Sequence, residues 1–140
     1  MHADHLWAPP AGYCPAAPNS VGAGATTVAS GTPSLGLADL LLTTDGLPQS
    51  EFGLFFYGPN QVSLPFGDGT RCVGGQLVRL LPINSGMAGI VSQPIVNANL
   101  PAGAQLSVGD TRNFQFWYRD PAAAGAGFNL SSAVSVTFTP

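Results

Sequence analysis

Apolar positions along this chain fall in short runs, rich in β-branched and aromatic residues and broken every few positions by glycine or proline. Such runs are too short for amphipathic helices and instead predict strands. Strands are expected over 26–30, 38–44, 52–57, 71–73, 76–81, 89–96, 111–119 and 133–138. The intervening turns have local causes: Asp45-Gly46, Gly58-Pro59-Asn60, Asp68-Gly69 and Asn84-Ser85-Gly86 supply residues that tolerate positive φ or arrive with φ preset by proline. Gly74-Gly75 reads as a bulge or bend inside one long strand. Helix should be nearly absent, with at most one turn over 121–127.

Two segments can be read face by face. In Phe114-Gln115-Phe116-Trp117-Tyr118-Arg119 a period of two puts Phe114, Phe116 and Tyr118 on one face, a core face. Gln115, Trp117 and Arg119 share the other, which must be covered by a loop or offered to a partner. Phe52-Gly53-Leu54-Phe55-Phe56-Tyr57 is apolar on both faces, so this strand should be central and covered on both sides. About eight short strands at this spacing predict an all-β fold, an antiparallel β-sandwich of immunoglobulin-like or jelly-roll-like type.

Composition narrows the class. At 140 residues the chain fits one domain with a proper core. Charged residues are 8%, against about 25% in ordinary soluble domains. With 45% hydrophobic residues this is not a disordered composition. The basic residues are Arg71, Arg79, Arg112 and Arg119, and lysine is absent. A net charge of −3 with scattered arginines offers no basic stripe, so nucleic acid is not an expected partner. Weak surface charge also lowers the repulsion between copies, which favours self-association or a protein partner; solubility through hydroxyls and amides explains the same composition.

No stretch approaches the ~20 apolar residues of a membrane span. Met1-His2-Ala3-Asp4-His5-Leu6-Trp7 lacks the pattern of a signal peptide, and Ala8-Pro9-Pro10-Ala11-Gly12 reads as a linker end. Residues 1–12 are therefore expected to be a tail and 13–140 a single domain, the export signal lying elsewhere.

Cys14 and Cys72 are the two cysteines. An even count in a lysine-free, low-charge domain reads as one disulfide and hence an oxidising compartment, secreted or at the cell surface; two buried free thiols are the alternative. Closing that loop would stabilise the fold by about 4 kcal/mol.

Several segments taken together resemble a known group. They are Tyr13-Cys14 with Pro18-Asn19-Ser20, Gly53-Leu54-Phe55-Phe56-Tyr57-Gly58-Pro59, Pro65-Phe66-Gly67-Asp68-Gly69-Thr70-Arg71-Cys72-Val73, the run from Asn113 to Pro121, and Gly127-Phe128-Asn129-Leu130-Ser131. In order and spacing they resemble an uncharacterised C-terminal β-rich domain of large secreted proteins from planctomycetes and myxobacteria, over nearly all of the chain from Tyr13 onward. The resemblance implies an extracellular terminal or accessory module and pairing of Cys14 with Cys72. It assigns no catalytic or binding residue.

The chemistry in the sequence is sparse. His2 and His5 are the only histidines, no Gly-x-Ser-x-Gly elbow occurs, and a Ser–Lys arrangement is impossible without lysine. The seven acids, Asp4, Asp39, Asp45, Glu51, Asp68, Asp110 and Asp120, mostly sit beside glycine or proline, where aspartate caps turns. No enzymatic activity is expected. His2-Ala3-Asp4-His5 has the donor types of a metal site but lies in the tail, and zinc needs about four ligands. Asp68 and Asp120 offer loop oxygens for calcium, yet no Asp-x-Asp-x-Asp run exists; no cofactor is expected. Asn129-Leu130-Ser131 matches a glycosylation sequon.

The ligand-binding candidates are Gln115, Trp117, Arg119 and Asp120. An aromatic ring beside hydrogen-bonding groups suits a sugar, whereas packing of the ring and pinning of the loop after Asp120 would be structural duties. Two functions stay open: a non-enzymatic interaction or structural module of the cell surface or extracellular matrix, self-assembly included, and a carbohydrate-binding module appended to a secreted enzyme.

Overall fold

Each expected strand segment contributes a strand, although several are trimmed. The computed structural model describes residues 8–140. Along it run β1 (Ala11–Tyr13), β2 (Thr26–Ser30), β3 (Leu41–Asp45), β4 (Phe52–Gly58), β5 (Asn60–Phe66), β6 (Gly69–Gly74), β7 (Val78–Arg79), β8 (Ile83–Asn84), β9 (Val91–Pro94), β10 (Thr111–Arg119) and β11 (Phe128–Thr137). The described residues thus form eleven strands, more than the eight expected, with three short 3-10 turns and no α-helix. No helix among them is long and apolar enough to cross a membrane.

The two-faced apolarity of β4 sets the architecture. The main sheet has the order β1-β11-β10-β4-β7, with β8 on another part of β4, and all its pairs are antiparallel. One face packs on a smaller sheet, β2-β3-β9. Phe55, Tyr57, Phe114, Phe116, Tyr118, Val134 and Val136 meet Ala25, Leu42 and Val91 in this core. The Phe55–Phe116 centroids lie 4.7 Å apart and those of Tyr57 and Phe114 5.1 Å apart. Each such buried aromatic stabilises the fold by roughly 1.5–3 kcal/mol. The sandwich is also stitched by hydroxyls. Thr27 Oγ1 lies 2.6 Å from Thr44 Oγ1 and 2.8 Å from Ser131 Oγ, and Ser131 Oγ accepts the Phe116 N–H.

The opposite face is covered in part by the β5–β6 hairpin. Cys72 and Val73 come down from β6 on Phe56, Leu130 and Ala133. The turn residue Gly67 has φ 58 and faces the Phe128 ring so closely that a Cβ would not fit. The hairpin base is held by the Cys14–Cys72 disulfide, Cα–Cα 6.2 Å, and by the Tyr13 hydroxyl, which donates to the Cys72 carbonyl at 2.7 Å.

Three details differ from expectation. Gly74-Gly75 is not a bulge in one strand: Gly74 closes β6, and Gly75 at φ 84 turns the chain onto the main sheet as β7. Ala11 and Gly12 belong to β1 rather than to a tail. β5 forms despite Pro65, because it is a sheet-edge strand whose free side needs no donor there.

Candidate functional site

The hairpin does not span the whole outer face of the main sheet, and a groove of about 320 Å³ remains beside it. Cross-strand register builds its floor: Trp117 lies opposite Leu54 and Gln115 opposite Phe56, placing all four on one face. Arg79 lies opposite Phe56 from β7. Leu77 closes one side, and Phe66 and Arg71 of the hairpin form the wall. Trp117 is half-buried, tilted 34° against Phe128 at 5.7 Å. Phe128 in turn meets Phe66 edge-on at 5.1 Å.

Among the described residues the groove lining is apolar except for two guanidiniums, and no carboxylate belongs to it. Arg71 lies over the Phe66 ring, its guanidinium carbon 5.9 Å from the centroid. Its Nε is buried without a hydrogen-bond partner among the described residues. Among the described residues the one ion pair is Arg112–Asp110 at 3.6 Å, so neither Arg71 nor Arg79 has an acidic counterpart. A larger depression near Leu81, Pro94 and Leu100 carries, among the described residues, Arg79 as its sole ionisable side chain and no aromatic ring.

The four candidates from the sequence do not converge. Gln115 is fully buried. Its Oε1 accepts the Cys72 N–H at 3.0 Å, and its Nε2 donates to the Thr70 and Ser131 carbonyls at 2.9 and 2.7 Å. The amide thus replaces a neighbouring strand along β6. Asp120 is also fully buried, accepting the N–H and hydroxyl of Ser20. These two side chains are consumed inside the fold. Arg119 is exposed and outside the groove lining, which leaves Trp117 as the candidate that reaches the groove. Phe66, Arg71 and Arg79 were not expected there.

Three other acids have local duties. Asp39 accepts from Thr32, Asp110 from the Ser107 N–H, and Asp68 from the Ala126 N–H. No cluster of three or more His, Cys, Asp or Glu forms among the described residues; the His2-Ala3-Asp4-His5 motif lies outside them. Asn129 of the sequon is fully buried and donates to the Pro18 carbonyl, so it does not present an amide for glycosylation. Burial pushes the hydroxyls of Tyr13 and Tyr118 up to about 12. Comparison with protein-family models, curated proteins and solved structures finds no match.

Proposed function

We propose that this chain is a non-enzymatic interaction module of the cell surface or extracellular matrix, and that it takes an extended segment of a protein partner into the groove beside the β5–β6 hairpin. The observation that carries this reading is the groove itself: Leu54, Phe56, Leu77 and Trp117 at its floor and side, with two arginines that no acid of the described chain neutralises. The disulfide agrees with an oxidising, extracellular setting. Edge pairing between copies is the weaker route to assembly. Among the described residues the longest free edge, β5, carries Pro65 and a register shift between Gln61 and Leu64, both devices that discourage strand addition.

A carbohydrate is the second reading, supported by the half-exposed Trp117 ring beside two guanidiniums. It fits less well, because the described residues of the groove lining include no Asn, Gln, Ser or Thr for sugar hydroxyls.

The test is selection of a random phage-displayed peptide library on the oxidised domain, with counter-selection on Phe66→Ser/Arg79→Glu. Both residues are exposed, so the variant should keep its sandwich while losing the Phe66–Phe128 contact at the hairpin tip. Peptides that bind wild type and not the variant support the reading. Peptides that ignore the change, or none at all while an oligosaccharide panel binds, defeat it.

A further inference from the structure

Resting on that reading, we infer that the partner segment is acidic as well as apolar: the groove recognises a carboxylate beside a large apolar side chain in an extended peptide.

The argument is one of charge left over. The chain is acidic overall, at −3, yet two of its four cations line a groove to which the described residues bring no carboxylate. Arg112 shows what is missing, since it has Asp110 at 3.6 Å. Arg71 is set in place without being satisfied by the described residues: its guanidinium lies over Phe66 and its Nε is buried with no acceptor among them. Buried donors are normally paired, and one left unpaired costs stability. A carboxylate meeting the outer guanidinium nitrogens would form charge-assisted hydrogen bonds in a partly dry site, where such bonds are strong and directional. The adjoining Leu54, Phe56 and Trp117 surface would take an apolar side chain from the same segment. Neutral hydroxyl-rich ligands find no side-chain acceptors there among the described residues, which favours a peptide over a glycan.

Three capped synthetic peptides separate the components when titrated into isotopically labelled, oxidised protein and followed by amide NMR shifts: Gly-Asp-Phe-Asp-Gly, its neutral analogue Gly-Asn-Phe-Asn-Gly, and Gly-Asp-Gly-Asp-Gly. Loss of the charge-assisted contacts should weaken the neutral analogue by about tenfold or more, with the loss shrinking at high salt. The peptide lacking phenylalanine should also bind more weakly. Arg71→Met should abolish the preference for the acidic peptide while leaving the thermal midpoint unchanged or raised, because it removes an uncompensated donor. An arginine with a purely structural role would lower it. Equal groove binding by acidic and neutral peptides would overturn the acidic partner and leave the groove reading standing. Groove shifts with oligogalacturonate but with no peptide would overturn both in favour of a glycan. No groove shifts with any probe would overturn both outright.

Discussion

Replacing Gln115 by leucine tests whether a buried amide serves as a missing strand for β6. The side chain is fully buried, and its three hydrogen bonds to backbone reach the Cys72 N–H and the carbonyls of Thr70 and Ser131 at 2.7–3.0 Å. Leucine has nearly the same volume, so the cavity contribution is small. An orphaned buried N–H costs about 2 kcal/mol and two under-satisfied carbonyls about 1 kcal/mol each. The apolar gain offsets roughly 1 kcal/mol of this, leaving a net loss of about 3 kcal/mol. At this size the melting midpoint should fall by roughly 10 °C. Urea denaturation of the oxidised protein, with unchanged slope, would measure the loss directly. Gln115→Glu provides the control. The introduced carboxylate can accept from Cys72 but cannot donate to the carbonyls, and its burial raises its pKa. The stability of that variant is therefore greatest at low pH, where the carboxyl is protonated, and is lost as pH rises through the raised value. A loss below about 1 kcal/mol for Gln115→Leu, or pH-independent stability for Gln115→Glu, would refute the surrogate-strand account.

Ser131→Ala removes the hydroxyl that accepts the Phe116 N–H and meets Thr27; it should cost about 2 kcal/mol, and an unchanged urea midpoint would show that the stitching is dispensable. Cys14→Ala/Cys72→Ala opens a closure between residues 58 apart and should cost about 4 kcal/mol of chain entropy; a midpoint matching the oxidised wild type would refute this. Tyr13 and Tyr118 titrate up to about 12 in the fold, against about 10 when unfolded, because burial disfavours the anion. Their contribution is complete below pH 10 and is lost as pH rises toward 12. Tyrosinate absorbance should therefore lag a free-tyrosine curve, and Tyr13→Phe should make the alkaline loss of stability shallower. Titration of all three tyrosines near pH 10 would contradict the burial.

The core was legible because it obeys local periodicity. Phe114, Phe116 and Tyr118 fall on the buried face of β10 as alternation requires, and β4 is central because both its faces are apolar. Elements whose pairing is long-range or whose sequence is atypical were not legible. β5 has polar and apolar positions alternating around Pro65, which argues against a strand unless the strand is known to be an edge. β1 reads as linker because its anchor, β11, is more than a hundred residues away. The fate of the second β10 face was equally hidden. Alternation groups Gln115, Trp117 and Arg119, but nothing local says that a hairpin from 60–74 will cover the first, border the second and miss the third. Phe66, Arg71 and Arg79 belong to other segments, and only tertiary pairing brings them to Trp117.

That partial covering also explains how the groove holds its shape. A two-stranded hairpin alone is marginally stable, yet this one forms the wall that carries Phe66 and Arg71. Its base is tied by the disulfide and the Tyr13 hydroxyl, its β6 edge by the Gln115 amide, and its tip by Phe128. Each tie acts on the hairpin from an element of the main sheet or its N-terminal margin, so the wall is fixed relative to the Leu54, Phe56 and Trp117 floor. A wall ordered before binding spares a partner the entropy of ordering it. The groove can then serve as a recognition surface although its rim is an edge hairpin, and the internal use of Gln115 is what makes the exposure of Trp117 available for that purpose.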